Sequence, residues 1–129
     1  MSWQFLSRRA VEAMHAEQLL RHGGAQGSRD ENALESALAR AENKASYDDP
    51  SIEDLAAAYI FGIARNHAFV DGNKRTAIVA AGAFLLINGY GLTADNGTVY
   101  EFVMGVAAGE IDEAGAAAFF RDHTVKLED

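Results

Sequence analysis

Within the nine residues HAFVDGNKR, His67 to Arg75, lie an imidazole, a carboxylate, a glycine turn and a Lys-Arg pair. Histidine is the side chain best suited to take a proton near neutral pH. Asp71 and Gly72 are turn residues, and the apolar run after them predicts a helix beginning at Asn73. Lys74 and Arg75 then fall in its first turn, where free backbone N–H groups and the positive dipole end already gather. Cations there cost a few tenths of a kcal/mol, roughly, unless an anion sits among them. A phosphate would remove the conflict, because a helix N-terminus, a glycine turn and Lys/Arg together make an anion cradle.

Asp71 beside such a cradle suits magnesium, which takes one or two carboxylates plus substrate oxygens. Zinc is a poor match, because no second histidine and no cysteine stands at ligand spacing. With His67 as general base, the stretch holds the parts for phosphate-ester chemistry on a hydroxyl. Phe69 reads as an apolar anchor that buries its ring and fixes the loop. Each residue also has an ordinary structural account. His67 can be a helix C-terminal histidine stabilised by the dipole, Asp71-Gly72 a plain turn, and the two cations can bend into solvent. His15, His22 and His123 are read in that ordinary way. There is no Walker-type glycine loop and no protein-kinase signature set.

The elements that must position this loop read as helices. Ser7 caps a first one, carrying Val11, Met14 and Leu19 and stopped by Gly23 and Gly24. Ser28-Arg29-Asp30-Glu31 has capping-box spacing before Leu34, Ala37 and Leu38, with the helix ending near Ala41. Asn43 to Pro50 reads as a loop. Ile52, Leu55, Ala56, Tyr59, Ile60, Ile63 and Ala64 follow the helical rule throughout, and one further turn places His67 at the end of that core-facing stripe. Asn73 to Asn88 is apolar nearly all round, which predicts a central buried helix closed by Gly89. Gly91 to Ala94 is irregular or extended. Asp95 or Asn96 caps a helix with Val99, Phe102, Val103 and Val106. After Gly109, Asp112 caps the last helix, with Ala118 and Phe119 turned inward. The expectation is an all-α fold of about six helices, one domain over residues 1–129.

Composition narrows the function classes. The 11 basic and 19 acidic residues give a net charge of -8, which argues against direct nucleic-acid binding. Zero cysteines exclude a disulfide framework, cysteine-ligated zinc and thiol catalysis, and agree with a cytoplasmic location. The N-terminus lacks a signal-peptide pattern. The most apolar run, Thr76 to Ile87, falls short of the ~20 residues of a membrane span, so no membrane partner is expected.

His67, Phe69, Asp71, Gly72, Asn73, Lys74 and Arg75 also match a known signature. The stretch resembles that of the Fic/Doc family, H-x-F-x-[DN]-[AG]-N-K-R in its Doc branch. Gly27 to Glu31 followed by Leu34 to Leu38 is similar to the second-helix region of the same branch. The resemblance implies a compact helical fold and the toxin of a bacterial toxin–antitoxin pair. It implies a serine/threonine kinase that uses ATP and magnesium to phosphorylate elongation factor Tu and so stop translation. By matching position, His67 would activate the target hydroxyl, Phe69 would be the anchor and Asp71 the magnesium ligand. Gly72, Asn73, Lys74 and Arg75 would hold the nucleotide phosphates.

The Fic branch, which transfers AMP, has a glycine where Lys74 stands and a second arginine where Ile78 stands. Both departures favour phosphoryl transfer. Ala68 replaces a common proline. A catalytically silent nucleotide-binding module is a further alternative, against which the intact His67 argues. Family members also carry a self-inhibitory S/T-x-x-x-E-[G/N] helix. Thr124 and Glu128 have its first spacing, which is read as chance. A separate antitoxin chain seated on apolar surface is expected instead.

Overall fold

The computed structural model describes residues 2–128; Asp129, next to Glu128 in the spacing just mentioned, lies outside them. Among the described residues there are six helices: α1 (Arg8–His22), α2 (Glu31–Tyr47), α3 (Ile52–Asn66), α4 (Asn73–Ile87), α5 (Asn96–Ala107) and α6 (Glu113–His123). They are joined by one antiparallel ribbon of β1 (Tyr90–Leu92) and β2 (Thr124–Lys126), with Gly91 opposite Val125. The all-α expectation therefore holds. The helix starts are set locally. Ser7, Asp30, Ser51, Asp95 and Asp112 each accept an N–H at the third helical position. Ser51 and Asp54 complete a reciprocal capping box.

The helix in the middle is α3, not α4. It packs against α2, α4, α5 and α6, and Leu55, Tyr59, Ile60 and Ile63 are fully buried. The stripe of large residues is what a sequence shows, but Ala56, Ala57, Ala58, Gly62 and Ala64 bury the rest of the circumference. Small residues let neighbours come close: a Cβ on Gly62 would lie 3.2 Å from the Ala37 carbonyl oxygen of α2. On α4, by contrast, Leu86 and Ile87 face solvent. Its buried face, Ala77, Ala80, Ala81, Phe84 and Leu85, lies toward α3 and α1.

Four other expectations shift. Asp30 rather than Ser28 caps α2. The helix continues to Tyr47, because Ala41 and Ala45 carry the apolar stripe another turn. On α6 the inward residues are Ala116, Ala117 and Phe120, while Ala118 is exposed. Phe119 is half-buried and stacks on Phe102 at 3.9 Å. The strand β2 was not foreseen; three residues near the chain end carry no period of their own.

Two long-range ties hold the frame. Leu6 N–H donates to the Tyr59 hydroxyl at 2.9 Å, whose pKa burial pushes up to about 12. Gln4 and Asn88 exchange hydrogen bonds of 2.8 and 2.9 Å. On the far side Glu113 of α6 takes Lys44 at 2.6 Å and also Arg40, both from α2. Burial opposes its ionisation, but hydrogen bonds from Lys44 and Arg40 outweigh that and hold its carboxyl below the usual carboxylate range. A depressed folded-state pKa contributes stability above the unfolded value and loses it as pH falls through the folded one. Glu113→Gln should therefore cost roughly 1 kcal/mol at neutral pH. The gap between the two melting curves should begin to close near pH 4, roughly where the unfolded carboxyl protonates, and vanish at lower pH once the folded carboxyl is protonated too. A constant gap down to strong acid would mean that packing, not charge, is lost.

Candidate active site

The loop between α3 and α4 is built by burying two residues and exposing the reactive ones. His67 ends α3 in the left-handed region, φ 50° and ψ 47°, and is the one non-glycine residue with positive φ among those described. Histidine visits that region more readily than most residues. The turn takes the ring off the core-facing stripe and leaves it exposed. Ala68 and Phe69 then go inside, 1% and 2% exposed. The Phe69 ring is thus packed into the core.

The loop is held from three sides. The segment before α2 forms an antiparallel bridge with it, Ser28 opposite Phe69. The Ala68 carbonyl accepts Arg29 N–H at 2.7 Å and Asp30 N–H at 3.1 Å, and Val70 N–H donates to Gly27 at 3.1 Å. From α4, the Asn73 side chain accepts Phe69 N–H at 3.1 Å and donates to Phe69 O at 3.0 Å. The amide thus braces the loop, and its second N–H, like the Asn73 backbone N–H, stays available to another acceptor. From α1, the His15 ring stacks on Phe69 at 3.7 Å and 9° and donates from Nε2 to the Asp71 carbonyl at 2.7 Å.

Asp71 lies on the surface. Its Oδ1 accepts Gly72 N–H at 2.9 Å and its Oδ2 accepts Ala25 N–H at 3.3 Å. A carboxylate has about four lone-pair sites, so both oxygens keep room for a cation. Gly24, φ 126°, has to be glycine here, since a Cβ would sit 2.9 Å from Asp71 Oδ2. Among the described residues no group of three His, Cys, Asp or Glu side chains could cage a metal. One carboxylate plus substrate oxygens is a magnesium arrangement, so the residues fit the expected ion and do not fit a zinc site.

Gly72 caps α4 with φ 79° and no side-chain hydrogen bond, unlike the other five helices. The first N–H taken within the helix is that of Thr76, by Gly72 O at 3.0 Å. The N–H groups of Asn73, Lys74 and Arg75 thus have no intrahelical acceptor. No acidic residue stands in that turn, and no carboxylate pairs with Lys74 or Arg75 among the described residues. Lys74 is half-buried and Arg75 exposed. Arg75 also lines an open groove of about 440 Å³ whose floor includes Ile78, Val79, Leu92 and Val99.

The structure therefore gathers Asp71, Gly72, Lys74, Arg75 and a bare helix N-terminus at one place, with His67 at the other end of the same loop. The residue that sequence reasoning missed is His15. A histidine on the buried side of a helix was the available signal, but its partners lie on a distant loop. Gly24, which the sequence marks as a helix stop, also makes room for the Asp71 carboxylate.

Among the described residues, then, an all-helical frame presents one helix without a side-chain cap, two cations paired with no carboxylate, and the exposed Asp71. Residues 5–85 match the sequence profile of the Fic/DOC family, and the chain belongs to that family. The match spans α1 to α4 and includes the whole loop. The chain is 31% identical over 117 residues to "Protein kinase doc" of Escherichia phage P1, covering 90% of this chain and 92% of that protein. It is 49% identical over 75 residues to "Toxin Doc" of Mycolicibacterium smegmatis, covering 57% of this chain and 58% of that one.

Proposed function

We propose that this protein is the toxin of a bacterial toxin–antitoxin pair. In this reading it is a kinase that moves the terminal phosphate of ATP to a Ser/Thr hydroxyl of a translation protein, with elongation factor Tu the expected target. The observation that carries the proposal is the N-terminus of α4, which has no side-chain cap and carries Lys74 and Arg75 but no acid in its first turn. The names of the two relatives, a protein kinase and a toxin, support it.

His67 takes the proton of the target hydroxyl as the oxygen bonds to the terminal phosphorus; the bond to the bridging oxygen breaks and ADP leaves. The N–H groups of Asn73, Lys74 and Arg75, with the two cationic side chains, stabilise the charge on the transferred group. When bound, magnesium would neutralise phosphate charge, with Asp71 as its protein ligand. Ile78 contributes no cation. Its apolar side chain lines the groove beside Arg75, where an AMP transferase of the family carries its second arginine.

A separate antitoxin chain is the expected partner, and the cytoplasm, where translation runs, the expected location. No helix among the described residues is long and apolar enough to cross a membrane. The test is isotopic. Incubated with the target, ATP labelled at the terminal phosphate should transfer its label, and ATP labelled at the first phosphate should not. Label arriving only from the second nucleotide would show nucleotidyl transfer and overturn the reading of Lys74 and Ile78.

A further inference from the structure

His15 is 6% exposed, sits on α1, and serves none of the steps just described. We propose that it is a positioning residue: it fixes the peptide that joins Asp71 to Gly72 and so aims both the carboxylate and the start of α4. The importance of that aim rests on the reading of Asp71 as a metal–nucleotide ligand.

A carbonyl can only accept, so the 2.7 Å contact means that His15 Nε2 carries the hydrogen. The Asp71 carbonyl and the Gly72 N–H belong to one rigid plane. Holding the oxygen therefore holds the N–H, and that N–H is the donor to Asp71 Oδ1 at 2.9 Å. One imidazole thus sets the carboxylate's orientation through a single peptide unit. The ring cannot slide, because it lies flat on Phe69 at 3.7 Å. Phe69 is itself held by both backbone groups to Asn73. Gly72 completes the fit from above: a Cβ there would lie 3.5 Å from His15 Cδ2 and 3.3 Å from Leu19. A histidine serving only to fill the core would need the stack but not the donor.

Two substitutions in the full chain separate these roles. His15→Phe keeps an aromatic ring against Phe69 and removes the donor. His15→Gln gives up the ring and places an amide N–H near the position of Nε2. Two quantities are read: amide hydrogen exchange at Gly72, and the magnesium concentration that half-saturates ATP binding. His15→Phe should speed Gly72 exchange about tenfold, the equivalent of one lost hydrogen bond. It should raise the magnesium requirement about 10- to 100-fold, as for a displaced ligand group, with exchange in α3 unchanged. His15→Gln should return both toward wild type. Wild-type values in His15→Phe would overturn the proposal, as would His15→Gln behaving like His15→Phe. Should His15→Phe not fold, His15→Gln decides alone: near-wild-type values support positioning, and a His15→Phe-sized change refutes it. Wild-type protein that binds no magnesium–ATP would refute the reading of Asp71, while Gly72 exchange would still decide the case of His15.

Discussion

His67→Ala should abolish the toxicity of this chain in bacteria while leaving a folded protein. The ring is exposed and makes no hydrogen bond among the described residues, so its removal takes little from the fold. Alanine visits the left-handed region less readily than histidine, which adds a cost of roughly 1 kcal/mol or less. The melting temperature should stay within a few degrees, roughly. Loss of the base should slow phosphoryl transfer by about 10²–10⁴-fold. Growth of cells expressing each protein, a melt, and transfer of label to the target are the three measurements. Equal toxicity of the two proteins would remove His67 from the mechanism.

Asp71→Ala should show two losses of different size. Magnesium-dependent ATP binding should weaken more than about tenfold, since among the described residues no cluster of carboxylates stands ready to replace the ligand. Stability should fall by about 1–2 kcal/mol, because the N–H groups of Gly72 and Ala25 lose their acceptor at a wet site. A residue seen only as part of a turn would be expected to contribute less. Titration calorimetry and melts on one preparation distinguish the effects. A protein that melts far lower, yet binds ATP like wild type where it is still folded, would make Asp71 purely structural.

What could be read from the sequence is what is local. The nine residues from His67 to Arg75 are contiguous, so their spacing survives folding unchanged, and five of the six caps are one side chain reaching three residues ahead. What escaped depends on partners far along the chain. His15 meets Asp71 across 56 residues, and Ser28 pairs with Phe69 though nothing in either segment alternates. The central place of α3 was hidden because its second face is made of alanines, which count little in a hydrophobic pattern yet bury completely. Asn73 was assigned to phosphate because an amide suits that role in isolation. Only the loop's fold shows that the same amide also ties down the Phe69 backbone.

The exchange between Gln4 and Asn88 joins positions 84 apart. A chain made from its N-terminus outward therefore cannot finish its first segment until α4 has been made. Until then α1 has only scant apolar surface to bury, chiefly Val11, and its main neighbour α4 does not exist. By then α2 and α3 are already made, and contacts so far apart in sequence carry a larger loop-closure cost than local ones. His15 lies on α1. The reactive loop takes its ties from residues as far apart as His15 and Asn73, so a nascent chain that ends before α4 carries His67 without all the partners that shape its loop.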